Sequence, residues 1–236
     1  MILMFGDVHS DFSHVLPVVQ AEQPAAIIFL GDLQAQHPLE QELAEAMELT
    51  EVYFIHGNHD TDSKADYDNL FGSALADRNL HGRVVEIDGL RVGSGWNFQG
   101  SSLVSTGQYR NRAGVPGLRN LRQKNDGCKE HDVLPSPPMV GKALLHKSTI
   151  FWTDWIRLFG QSADILVTRE APSCHPNGFK GIGVLAQSMK VKFAFHGHHH
   201  DQFNYAAHEE SLGFSAHGIG LRSVSDMYGG IVLIEK

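Results

Sequence analysis

The chain has 236 residues, is 42% hydrophobic and carries a formal charge of −8. That length buries a full core in one large domain, and the acidic balance argues against a general nucleic-acid or anionic-membrane binder. MILMFGDVHSD turns polar too soon for a secretion signal, and no apolar run approaches the roughly 18 residues of a membrane span. Cys128 and Cys174 are the only cysteines, too few for a disulfide framework, so both read as inert thiols in a reducing cytoplasm. The 15 histidines are the one compositional outlier, and they point to metal or phosphate chemistry.

The first third of the chain alternates. ILMF (2–5) reads as a buried strand, and DFSHVLPVVQAEQ (11–23) as a helix whose start Pro17 delays. AAIIFL (25–30) is a strand, HPLEQELAEAMEL (37–49) a helix with Pro38 near its first turn, EVYFI (51–55) a strand, and DYDNLFGSALAD (66–77) a weaker helix. This alternation predicts βαβ units and a parallel sheet. RVVEIDGLRVGSG (83–95) instead reads as a hairpin turning at Asp88-Gly89.

Regular patterning stops over residues 96–147, where PSPP (135–138) excludes regular structure locally. This insertion holds eight Lys/Arg against three Asp/Glu, a surplus of +5, leaving eleven basic and 24 acidic residues elsewhere. Two readings stand: a cationic lid over an anionic substrate, or a solvated insertion. STIFWTDWIRLFG (148–160) is an amphipathic helix capped by Ser148 or Thr149. ADILVT (163–168), GIGVLAQSMK (181–190) and KFAFHG (192–197) repeat strand, helix and strand, and QFNYAA and YGGIVLIEK read as closing strands. The predicted fold class is α/β, with two packed mixed β-sheets flanked by helices, in one domain over 1–236.

Four apolar runs end on metal-ligand residue types. ILMF leads into Asp7-Val8-His9, IIFL into Gly31-Asp32, VYFI into Gly57-Asn58-His59-Asp60, and FAF into Gly197-His198-His199-His200. In open α/β sheets the carboxyl ends of the strands are where ligands bind. An adjacent glycine lets backbone and ions approach closely. Mixed Asp, Asn and His donors suit Mn²⁺, Fe²⁺, Zn²⁺ or Ni²⁺ rather than the all-oxygen shell of Mg²⁺ or Ca²⁺. His56, His196 and His199 adjoin these motifs, and two readings stand for each: a supporting role beside the ligands, or an ordinary packed histidine.

In order and type, these motifs resemble those of the calcineurin-like metallophosphoesterases: DxH, GD, GNH(D/E), a later strand-end His, and GHxH. The resemblance runs from residue 7 to residue 200. It implies two metals about 3.5–4 Å apart, one held by Asp7, His9 and His200, the other by Asn58, His198 and the strand-end His, with Asp32 bridging. It implies hydrolysis of a phosphomonoester or phosphodiester by in-line attack of a metal-bound hydroxide, with His59 steadying the transition state or protonating the leaving oxygen. The residue chemistry agrees, because two cations remove the repulsion that an anionic ester presents to a nucleophile. Asn58 binds through a neutral carbonyl oxygen, and His59, not itself assigned as a ligand, is free for proton work.

One strand end departs from the pattern. DILVT leads into Arg169-Glu170-Ala171-Pro172, so Arg169 stands where the fourth-motif histidine is expected. A guanidinium offers only donors, and at 4 Å from a dication it would cost about 8 kcal/mol at an effective dielectric of 20. Three consequences stand open in the sequence. Arg169 replaces the second metal as a fixed cation and grips a phosphate oxygen; or Glu170 or His175 restores that metal; or catalysis is reduced or lost and the fold serves as a metal- or phosphate-binding scaffold. The sequence reading is a cytoplasmic metallophosphoesterase acting on a small-molecule phosphate ester or nucleotide with one or two transition ions, Mn²⁺ foremost. Its ligands are Asp7, His9, Asp32, Asn58, His198 and His200, its catalytic residues His59 and Arg169, and its substrate contacts Arg169, Asn58 and His59. A metal-dependent nuclease is the further alternative, favoured only by the basic insertion.

Overall fold

The computed structural model describes residues 1–95 and 152–234. Among these residues, two five-stranded mixed sheets pack face to face. The first has the order β10-β9-β1-β2-β3, built from β1 (Ile2–Phe5), β2 (Ala26–Phe29), β3 (Glu51–Phe54), β9 (Val224–Asp226) and β10 (Ile231–Leu233). Its first three strands run parallel, and β9 joins β1 antiparallel. The second has the order β4-β5-β6-β7-β8, from β4 (Arg83–Ile87), β5 (Leu90–Ser94), β6 (Ile165–Thr168), β7 (Phe193–His196) and β8 (Ser215–Gly218). Only the β4–β5 pair is antiparallel there. Asp88 and Gly89 at its turn both have positive φ, 49° and 74°, the backbone that an Asp-Gly hairpin turn requires.

Burial on both faces explains why the strands read as unbroken apolar runs. ILMF, AIIF and ILVT are buried at every position. One face of each sheet supplies the central layer, with Met4, Ile28 and Ile55 against Val92, Val167 and Phe195. The outer face of the first sheet carries Phe5, Phe29 and Phe54 under α1 (Val15–Glu22), α2 (Leu39–Glu42), α3 (Ala44–Met47) and α4 (Lys64–Phe71). The outer face of the second lies under α5 (Trp152–Phe159) and α6 (Lys180–Met189) through Leu166, Leu158, Leu185 and Met189. The expected helix–sheet–sheet–helix layering is therefore present.

Several local expectations are corrected. The helix expected over 37–49 is two single turns broken at Leu43, where φ is −113°. The apolar spacing Leu39, Leu43, Ala46 persists because both pieces cover the same sheet face. The helix expected over 66–77 starts at Lys64 behind a Ser63–Asp66 capping box and stops at Gly72. QFNYAA is not a strand. Asp201 and Asn204 accept from the backbone of Phe203 and Ala206, and such local turns compete successfully with sheet pairing. A 3₁₀ turn, Ala206–His208, follows, with the short helix α7 (Glu209–Leu212) behind it. The insertion at 96–147 and the caps Ser148 and Thr149 lie outside the described residues. Among the described residues no helix is long and apolar enough to cross a membrane.

Phe195 is fully buried in the layer between the sheets. Phe195→Ala is expected to cost about 3–5 kcal/mol, seen as a lowered midpoint in urea unfolding with an unchanged slope.

Candidate metal centre

The parallel strands β1, β2 and β3 of one sheet, and β6 and β7 of the other, bring their carboxyl ends to a common rim. There Asp7 and Asp32 are buried, and each is fixed by a backbone amide. His198 N–H donates to Asp7 Oδ2 at 2.9 Å, and His59 N–H to Asp32 Oδ1 at 3.0 Å. His9 Nε2 lies 3.1 Å from His200 Nε2, which in turn lies 3.1 Å from Asp7 Oδ2. One ligand atom each from Asp7, His9 and His200 falls within 4.8 Å of the others. Donors bound to one ion at about 2.1 Å and near right angles are separated by roughly 3 Å, so the arrangement fits a divalent cation. Asp7 is buried, His9 intermediate and His200 exposed, so the cluster opens to solvent on one side, as a site that must admit substrate would.

The second half of the expected site is built differently. Arg169 does not swing away. Its side chain is fully buried, with Nη1 donating to Asp7 Oδ1 and Nη2 to Asp32 Oδ2. Nη2 also lies 3.4 Å from Asn58 Oδ1. The guanidinium therefore sits among Asp7, Asp32 and Asn58, and those residues do not fit a second ion while it is there. Nor does Arg169 face a substrate, because Nη1 and Nη2 are turned to the carboxylates and the side chain has no exposed surface. That corrects the expectation that it grips a phosphate oxygen. Glu170 is buried 3.7 Å from both His198 Nε2 and His199 Nε2, and His175 pairs with Asp201 at 3.1 Å. Among the described residues neither completes a second ligand cluster.

Glycine is needed where the loops touch this pair. A Cβ on Gly57 would lie 2.1 Å from Asp32 Oδ1, and one on Gly197 would lie 3.1 Å from Arg169 Nη1. The loops are also strained. His9, Ser10, Asp32, Gln34, His198 and His200 all have φ between 44° and 69°, a region that non-glycine residues rarely enter and that clusters at functional sites.

Electrostatics follow from burial and the guanidinium. Burial pushes the Asp7 carboxyl upward, but Arg169 and His200 outweigh it and hold the group below its ordinary range. Burial pushes Glu170 up to about 7. Burial, with Arg169 second, pushes His198 down to about 4, and its Nδ1 has no hydrogen-bond partner among the described residues. Burial pushes His196 down to about 3, and its ring is held by Gly197 O and the Tyr205 hydroxyl, a packed interior histidine. His56 is likewise interior, against Asn79 and His81. His199 stacks on His175 with ring centroids 4.1 Å apart.

His59 lies on the open side, its ring 5.9 Å from that of His9. Its Nδ1 is 2.6 Å from Asp62 Oδ2. Burial works to lower its pKa, but Asp62 and Asp32 outweigh this and hold it above the ordinary histidine value. The roles of three residues here escaped sequence analysis, although Asp60 was visible there as the last residue of the Gly57–Asp60 motif. Asp62 follows His59 by three positions, which was the available signal. Asp60 is buried and joins two loops by accepting from Gln34 N and Gly57 N, both at 2.7 Å. Gln34 places Oε1 2.5 Å from His9 Nδ1, and nothing in the GDLQAQ stretch signals that contact.

Removing a buried charge from a compensated group leaves the others unpaired. Arg169→Met is expected to cost about 3–5 kcal/mol in chelator-treated protein. Added Mn²⁺ is expected to restore part of that loss, read as urea midpoints with and without the ion.

The chain matches the family described as calcineurin-like phosphoesterase over residues 1–202. A Haemophilus influenzae (strain ATCC 51907 / DSM 11121 / KW20 / Rd) protein, described as uncharacterized, is 35% identical over 234 residues, spanning 99% of this chain and 96% of that protein. Among solved structures, the chain is similar to a dimetal phosphatase from Danio rerio, with 13% identity, a TM-score of 0.48, and coverage of 98% of this chain and 90% of the other. It is also similar to a 5'-nucleotidase from Candida albicans SC5314, with 12% identity, a TM-score of 0.48 and coverage of 94% of this chain. The chain spans about half of that nucleotidase, 46%.

Proposed function

We propose a function from one premise: this chain belongs to the calcineurin-like phosphoesterase family. It is a metal-dependent hydrolase of a phosphomonoester or phosphodiester, with a small molecule or nucleotide as substrate. The observation that carries this reading is the cluster of Asp7, His9 and His200, open on one side and flanked by the His59–Asp62 pair. Asp7, His9 and His200 would hold one divalent transition ion. One carboxylate and two imidazoles suit Mn²⁺, Fe²⁺, Zn²⁺ or Ni²⁺, with Mn²⁺ the first to test. When bound, that ion would supply Lewis acidity and lower the pKa of a coordinated water.

The chain's own residues do the rest. Arg169 stands in place of a second ion and acts through carboxylates. It neutralises Asp7 and Asp32 and holds both in position. Two carboxylates against a guanidinium and one dication leave a single positive charge for an anionic ester. Asn58 and His59 border the open side as substrate contacts. Asp62 orients His59 through Nδ1, leaving Nε2 to deliver a proton to the leaving oxygen. His198, with its depressed basicity, stays neutral and donates its backbone N–H to Asp7. The location that fits a chain with two cysteines and no disulfide framework is the cytoplasm.

Metal analysis of purified protein is expected to find one ion per chain, and two in Arg169→His. Turnover of p-nitrophenyl phosphate or its bis ester is expected with Mn²⁺ and is expected to vanish with chelator. If neither protein turns over with any of the four ions, the enzyme reading fails and the scaffold reading stands. A many-fold gain in Arg169→His would identify Arg169 as a disabling change rather than a replacement charge. Cleavage of DNA or RNA is not expected, and finding it would favour the nuclease alternative.

His59→Ala is expected to lower kcat by roughly 10²–10⁴-fold on an alkyl phosphate, the usual size of general acid catalysis. The loss should be smaller on p-nitrophenyl phosphate, whose leaving group needs little protonation, and Mn²⁺ affinity should not change. An equal loss on both esters would remove the proton-donor role.

A further inference from the structure

Gln34 belongs to no motif, yet it is fixed at three points. Its N–H donates to Asp60 Oδ1 at 2.7 Å, its carbonyl accepts from Ser10 Oγ at 2.7 Å, and its side-chain Oε1 lies 2.5 Å from His9 Nδ1. Its φ is 47°, a left-handed conformation that non-glycine residues rarely adopt. A turn alone would be met more cheaply by glycine or asparagine, so the long amide side chain is the feature that glutamine adds. An amide oxygen can only accept, so the imidazole nitrogen facing it must carry the proton. His9 is then the Nδ1–H tautomer, with a lone pair on Nε2. That nitrogen is the one 3.1 Å from His200 Nε2 and 3.9 Å from Asp32 Oδ2, on the side of the candidate ion.

We propose that Gln34 is a positioning residue for His9: it fixes the ring's tautomer and orientation so that Nε2 is presented to a divalent cation. Asp60 completes the arrangement. Its carboxylate ties Gln34 N to Gly57 N, so the loop after β2 cannot shift relative to the loop after β3. This role rests on the reading that Asp7, His9 and His200 hold the ion. Outer partners of metal-bound histidines set ligand basicity and geometry, and losing one weakens metal binding by roughly 10–100-fold.

The test has two arms. In metal-free, ¹⁵N-labelled full-length protein, long-range ¹H–¹⁵N spectra report the tautomer of each histidine, and His9→Asn identifies the His9 signals. Wild type should show His9 as Nδ1–H, and Gln34→Leu should lose that preference. Titration calorimetry with Mn²⁺ should show Gln34→Leu weakened by roughly 10–100-fold. Gln34→Glu, which keeps an acceptor in place, should hold wild-type affinity or exceed it. An Nε2–H tautomer in wild type overturns the proposal, as does a Gln34→Leu protein with unchanged tautomer and affinity. Wild-type protein that binds no Mn²⁺, Fe²⁺, Zn²⁺ or Ni²⁺ would overturn the underlying metal reading. That failure is separable, because the tautomer is read without metal.

Discussion

A guanidinium sealed between two carboxylates is the interaction on which the rest of this molecule depends. Asp7 comes from the first sheet at the end of β1, Asp32 from the end of β2, and Arg169 from the end of β6 in the second sheet. Two buried carboxylates repel each other and lose their hydration, a combination that the interior tolerates only with a counter-charge. A metal ion supplies that charge only while bound. Arg169 supplies it permanently, and in doing so joins the two sheets at the rim where their loops meet. The same side chain therefore carries part of the fold and part of the site.

Around that pair the backbone is held in unfavourable conformations for a reason. Six non-glycine residues with positive φ lie in the loops after β1, β2 and β7: His9, Ser10, Asp32, Gln34, His198 and His200. Such strain persists only where surrounding contacts over-determine it. Here the contacts are identifiable: Asp60 accepting from two loops, the His198 and His59 amides donating to the aspartates, and Gly57 leaving no room for a Cβ. The rigid inner shell contrasts with the open side, where His59 and Asp62 form an exposed pair. A fixed inner layer beneath and access above are what the proposed hydrolysis of an external ester requires.

Much of this was legible from residue order. Burial on both faces made β1, β2 and β6 unbroken apolar runs, and Asp88-Gly89 announced the hairpin through the positive φ it tolerates. Elements that depend on local competition were less legible. QFNYAA has strand-like alternation, but Asp201 and Asn204 fold it into turns. The stretch 37–49 keeps a helical apolar stripe although its backbone breaks at Leu43. The sequence-read ligands Asp7, His9 and His200 do converge. Asn58 instead faces Arg169, and Asp32 is turned to the guanidinium rather than between two ions.

The alternation of apolar runs with helical patterns, by itself, determined the α/β fold class, and the ordered Asp, His and Asn motifs at the strand ends carried the resemblance to the family, because periodicity and strand-end residue types are local properties of the chain. The motif order also singled out Arg169 as the one departure. Where that guanidinium goes was decided only by tertiary structure. Whether it turns outward to a phosphate, swings clear of a metal, or pairs inward depends on the distance from β6 to the ends of β1 and β2, and that distance crosses from one sheet to the other. The contacts of Gln34 with His9 and with Asp60 are of the same kind: they join residues 25 and 26 positions apart, through geometry that no local pattern encodes.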